Sequence, residues 1–90
     1  MSSDLFDLTG EVAVVTGAGR GIGEGIAHVL AEYGATVVTA ARRTEEIQKV
    51  ADDIIAANGS ALAVTTDVTS DESIEELARR AVDEFGRLDM

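Results

Sequence analysis

Thr16-Gly17-Ala18-Gly19-Arg20-Gly21-Ile22-Gly23 is the stretch around which the rest of the chain arranges itself. A short unbroken apolar run, Val12-Ala13-Val14-Val15, precedes it, and a segment with helical periodicity follows. Glycines let the backbone bend sharply and let a ligand approach the main chain with no Cβ in the way. The free N–H groups at a helix start, with the positive end of its dipole, attract a pyrophosphate. Strand, glycine turn and helix in that order therefore imply dinucleotide binding. The same glycines would also suit a merely flexible loop; the flanking strand and helix favour the cradle.

The general G-x-G-x-x-G fingerprint is absent in every register of Gly17, Gly19, Gly21, Gly23 and Gly25. No Gly-Lys-Ser/Thr follows, so a P-loop is excluded as well. The pattern that fits is T-G-x-x-x-G-x-G, with Thr16, Gly17, Gly21 and Gly23 in place. That motif resembles the classical short-chain dehydrogenase/reductase family. The similarity extends through Leu8-x-Gly10, the pair Arg42-Arg43, Asp67-Val68 and Phe85-Gly86-Arg87-Leu88-Asp89.

The chain around the loop reads as a regular alternation. Residues 1–11 are a lead-in in which Phe6 and Leu8 pack on the edge of the sheet, with Thr9-Gly10 as a turn. Val12–Thr16 is the first strand, apolar enough to be covered on both faces. Residues 21–33 form a helix with a stripe of Ile22, Ile26, Val29, Leu30 and Tyr33, stopped by Gly34. Gly25, costly inside a helix, implies close packing against the strand. His28 and Tyr33 read as a surface and a packing residue. A second strand covers 36–40, and a helix over 44–57 buries Ile47, Val50, Ala51 and Ile54 before Asn58-Gly59. A third strand covers 61–66. Thr69, with Glu72 three residues on, has the spacing of a capping box. The helix it starts carries Ile74, Leu77, Ala81, Val82 and Phe85, and Gly86 ends it. Residues 88–90 open a fourth strand.

This is an α/β chain, βαβαβα plus the start of a fourth strand. Right-handed crossovers make it a Rossmann-type doubly wound parallel sheet with expected strand order 3-2-1-4. Residues 1–90 are expected to be the N-terminal part of a single NAD(P)-binding domain, cut before its catalytic half.

Ninety residues allow one small domain. There is no cysteine for disulfides or thiolate metal sites, a composition compatible with a reducing cytoplasm. No apolar run reaches membrane-spanning length, and no secretion signal opens the chain. The net charge of −10 opposes nucleic acid or an anionic membrane as partner. Within residues 1–43 the basic side chains are Arg20, Arg42 and Arg43, in the loop and just after the second strand. They are either ordinary surface arginines or cations placed for an anionic ligand.

An acidic residue about 20 positions beyond such a loop holds the ribose 2′-hydroxyl of NAD. Here Ala41 occupies that place and Arg42-Arg43 follow. A guanidinium pairs with a 2′-phosphate that a carboxylate would repel, and Arg20 could clamp the same group; the resemblance therefore implies NADP over NAD. It also implies that Asp67 and Val68 meet the adenine, although Asp67 could simply belong to the turn before the helix cap. The cofactor-binding set expected from sequence is Thr16, Gly17, Gly19, Arg20, Gly21, Ile22, Gly23, Arg42, Arg43, Asp67 and Val68.

Catalysis in the family uses a serine and a Y-x-x-x-K pair. Tyr33 is followed four residues later by Val37, and the one lysine is Lys49; the catalytic groups are expected beyond Met90. The acidic pairs Asp52-Asp53, Glu45-Glu46 and Glu75-Glu76 read as helix surface. The complete protein is thus expected to be a cytoplasmic, homo-oligomeric NADP-dependent oxidoreductase acting on a small carbonyl or alcohol. The alternative is a self-standing, non-catalytic dinucleotide-binding half-fold. A structural or interaction module has only a bare strand edge in its favour.

Overall fold

The computed structural model describes residues 8–89. Three strands, β1 (Val12–Thr16), β2 (Thr36–Ala41) and β3 (Ser60–Thr65), alternate with α1 (Gly21–Glu32), α2 (Thr44–Ala56) and α3 (Asp71–Phe85). All pairings are parallel and in step: Val12 faces Thr36, and Thr36 faces Ser60. The spatial order β1-β2-β3 is the 3-2-1 part of the expected arrangement.

Period-two alternation along the strands builds a core on each face of the sheet. Val12, Val38, Ala40 and Val64 meet Leu77 and Ala81 of α3, with Val14, Leu62 and Phe85 packed beside them. On the opposite face Val15, Ala18 and Val37 meet Ala27 of α1 and Val50 and Ile54 of α2. The doubly wound reading therefore holds: α1 and α2 cover one face and α3 the other. The α2 stripe of Ile47, Val50, Ala51 and Ile54 is wholly buried, as its spacing predicts. Buried Thr39 of β2 donates its hydroxyl to the Ile47 carbonyl at 3.1 Å, seating the start of α2 on the sheet.

The expected α1 stripe is only in part the buried face: Leu30 packs against the core. Ile22, Ile26 and Val29 are exposed, at 83%, 47% and 49%. Ala27 is fully buried, with Leu30 and Ala31 packed beside it. Small side chains let the helix axis sit close to the strands, and that proximity outweighs burying the larger stripe. The glycine that carries the close approach is Gly23, not Gly25. A Cβ on Gly25 would meet nothing within 4 Å, whereas one on Gly23 would fall 2.1 Å from the Gly17 carbonyl oxygen.

The α3 cap also differs by one residue from the expected capping box. Ser70 is the N-cap, its hydroxyl accepting from the Ser73 amide at 3.2 Å. Thr69 is already engaged: its amide and hydroxyl both donate to Asp67 Oδ1, at 2.9 and 2.6 Å. A short Asx turn thus removes Thr69 from competition for the cap. Ser70→Ala should lower stability by about 1 kcal/mol in urea unfolding, and Thr69→Ala should not act through the cap. At the other end Gly86, with φ +80°, donates its amide to the Val82 carbonyl and stops the helix as predicted.

The lead-in is tied by the Leu8 amide, which donates to the Tyr33 carbonyl at the turn between α1 and β2. Phe6 lies outside the described residues. Beside the free edge of β1, the Asp89 amide donates to the Val12 carbonyl, and the Val12 amide donates to Asp89 Oδ2. No strand forms over 88–89, yet these two bonds lay the chain alongside β1, where a fourth parallel strand would run. The paired Arg87 guanidinium, and then the Val12 amide, hold the Asp89 carboxyl below the usual carboxylate range.

Candidate functional site

The C-terminal ends of β1, β2 and β3 meet the start of α1 and α2, and most of the sequence-expected residues line the space there. The loop's entry is pinned by the Gly17 amide, which donates to the Ala40 carbonyl at 2.8 Å. Ala18 is fully buried in the core between sheet and helices. Gly17 and Gly21 adopt φ of +70° and +64°, and a Cβ at either would meet nothing within 4 Å. These two positions need glycine for conformation, and they leave bare backbone on the open side of the turn.

Arg20 is the N-cap of α1, in extended conformation and with no side-chain hydrogen bond to the helix start. The first-turn amides are left for an outside acceptor. A cavity of about 170 Å³ beside this turn is lined by Gly17, Gly19, Arg20, Ala41, Arg42, Arg43 and Glu46. A second, of about 350 Å³, shares Gly17, Ala41 and Arg42 and continues past Thr16, Thr66 and Val68. The loop arginine and the two arginines after β2, 22 residues and more away in sequence, thus face one space.

The remaining expected residues take other places. Gly21 and Gly23 line neither cavity; the first turns the backbone and the second packs against Gly17. Ile22 stands exposed at the start of α1. Asp67 lines neither cavity and is held in the turn before α3. The Thr69 hydroxyl and then the Thr69 amide keep its carboxyl below the ordinary range, and the charge of Arg42 acts in the same direction. Val68, half exposed at 54%, is the member of the pair that faces the shared space.

Glu46 was not expected here. Its neighbour Glu45 is exposed, but Glu46 is half-buried against the loop. A Cβ on Gly19 would lie 2.7 Å from Glu46 Cβ, and Arg20 Nε lies 3.9 Å from Glu46 Oε1. Sequence spacing carried one signal for it: Glu46 precedes buried Ile47 in the first turn of α2, the turn that follows the arginine pair.

The comparisons agree with this geometry. A family model described as short chain dehydrogenase matches residues 11–90. An uncharacterized oxidoreductase of Staphylococcus aureus (strain USA300) is 51% identical over 83 residues, covering 92% of this chain and 35% of its own. The crystal structure of hydroxysteroid dehydrogenase from Escherichia coli superposes with a TM-score of 0.93 at 37% identity, over 99% of this chain and 37% of that one. A metagenomic short-chain oxidoreductase in complex with NADP gives a TM-score of 0.86 at 42% identity, over 98% of this chain and 38% of that one. The chain spans about a third of the length of these relatives. With the loop, the strand order and the sequence match in agreement, the chain belongs to the short chain dehydrogenase family.

Proposed function

We propose that residues 1–90 are the N-terminal, cofactor-holding part of a single dinucleotide-binding domain in an NADP-dependent oxidoreductase. The observation that carries the NADP reading is the shared cavity at the glycine loop. Arg20, Arg42 and Arg43 line it, and Ala41 stands where an NAD-binding fold carries its acid. When bound, the nicotinamide cofactor supplies or accepts a hydride in exchange with a carbonyl or alcohol carbon.

This chain's own residues have binding roles. The bare backbone at Gly17 and Gly21 and the uncapped first turn of α1 hold the pyrophosphate. The arginines pair with the 2′-phosphate in charge-assisted bonds that a lone hydroxyl cannot make. Val68 packs against the adenine, and Asp67 shapes the turn that presents it. Residues 1–90 contain no tyrosine with a lysine four positions on, so proton transfer to the substrate oxygen falls to groups outside them. An acidic, cysteine-free chain suits a cytoplasmic setting. Among the described residues no helix is long and apolar enough to cross a membrane.

A binding competition tests the cofactor reading. NADPH should bind more tightly than NADH, and Arg42→Ala should weaken NADPH by about tenfold, the worth of one charge-assisted bond. NADH affinity should hardly move. Equal affinities for the two cofactors in the unmodified protein, or an unchanged NADPH affinity in the variant, would overturn it.

A further inference from the structure

We propose that Glu46 is a specificity-determining residue that tempers the selectivity of the arginine-lined cavity for a 2′-phosphate. This rests on the NADP reading above and adds to it. Glu46 contributes the one carboxylate among the residues lining that cavity. Its backbone and Cβ are placed there by the packing of α2. Its backbone lies in the first turn of α2, whose next residue, Ile47, is fully buried, and its Cβ sits under Gly19 with no room for a larger residue between them. Its side chain is 31% exposed, against 73% for Arg20.

Two opposite effects follow from that placement. Glu46 could orient Arg20 toward a ligand, or it could occupy Arg20 and repel a phosphate dianion. The separation decides between them. At 3.9 Å to a mostly exposed guanidinium, the pair is a loose surface contact that orders Arg20 little. The carboxylate, by contrast, lines a cavity of about 170 Å³ together with all three arginines. Any phosphate bound in so small a cavity lies close to it and feels its charge. Repulsion of the phosphate therefore outweighs orientation of Arg20. The site holds a 2′-phosphate less tightly than its three arginines alone would allow. A ligand with a free 2′-hydroxyl, which can donate to a carboxylate, feels no such penalty.

The test is calorimetric titration of the full chain and its Glu46→Gln variant, using adenosine 2′,5′-bisphosphate and 5′-AMP as probes. Glutamine keeps the size of the side chain and removes its charge. Affinity for the bisphosphate should rise about three- to tenfold in the variant, and that for 5′-AMP by less than twofold. The gain should persist when Arg20→Ala is added, because the repulsion acts on the phosphate directly and not through Arg20. An unchanged or weakened bisphosphate affinity, or an equal gain for both probes, overturns the role of Glu46. The NADP reading is scored separately, by the unmodified chain. Equal binding of the two probes there, with a bisphosphate gain only in the variant, would sink NADP preference and uphold Glu46.

Discussion

Gly23→Ala is expected to cut dinucleotide affinity by roughly 10- to 100-fold and to destabilise the fold by about 1–3 kcal/mol. The added methyl would sit 2.1 Å from the Gly17 carbonyl oxygen, 2.7 Å from its carbon and 3.2 Å from Ala18 Cα. All three are backbone atoms, so no side chain can swing away to relieve the overlap. Nor can the loop retreat cheaply. The Gly17 amide is bonded to the Ala40 carbonyl, and Ala18 is fully buried in the core. Either α1 tilts off the sheet or the turn opens, and both displace the amides that would meet the pyrophosphate. Gly25→Ala is the matched control. Its Cβ meets nothing, and removing glycine from a helix interior should stabilise by about 0.5–1 kcal/mol with cofactor binding intact. Denaturant unfolding and cofactor titration on the two variants read both quantities. A Gly23→Ala protein that binds like its parent would show that the turn does not pack on α1 as described.

Ile54→Ala is expected to cost roughly 2–5 kcal/mol. Ile54 is 2% exposed and packs into the face formed with Val15, Ala18, Ala27, Val37 and Val50. Its Cγ2 also closes against Gly59, where a Cβ would approach to 2.7 Å. Neighbours crowded from several elements cannot easily collapse into the space that three lost carbons would leave. Domains of this size have only about 5–15 kcal/mol of net stability, so the loss is a large share of the total. Ile55, next in sequence but 52% exposed, should tolerate alanine at a fraction of that cost. The check is the urea midpoint at constant m-value. A loss below about 1 kcal/mol for Ile54→Ala would mean that α2 is not seated on this face.

Much of this architecture is legible in the sequence. Unbroken apolar runs, glycine stops and the α2 stripe are local signals, each read within a few residues. The α1 stripe misled because periodicity reports which residues share a face, not which face a sheet will accept. Ile22, Ile26 and Val29 do lie together; the core takes Ala27 and Leu30 instead, and the glycine loop meets Gly23. The α3 cap was off by one residue for a similar reason. Thr69 and Ser70 are both good caps in isolation, and Asp67 removed Thr69 by taking its hydroxyl. Glu46 looked like one half of a solvated pair because its place before Ile47, after the arginine pair, was too weak a signal that the glycine loop lies against it.

What the sequence by itself determined is therefore the order of elements, the identity of the glycine turn between β1 and α1 and the presence of cations near it. These depend on backbone conformational preference and hydrophobic spacing, which act over one or two turns of chain. Only the tertiary structure decided that Arg20 joins Arg42 and Arg43 in one cavity, that Gly23 rather than Gly25 carries the helix contact, and that a carboxylate stands among the arginines. Those outcomes depend on which surfaces the parallel crossovers bring within a few ångströms, and packing between distant segments, not local propensity, sets that distance.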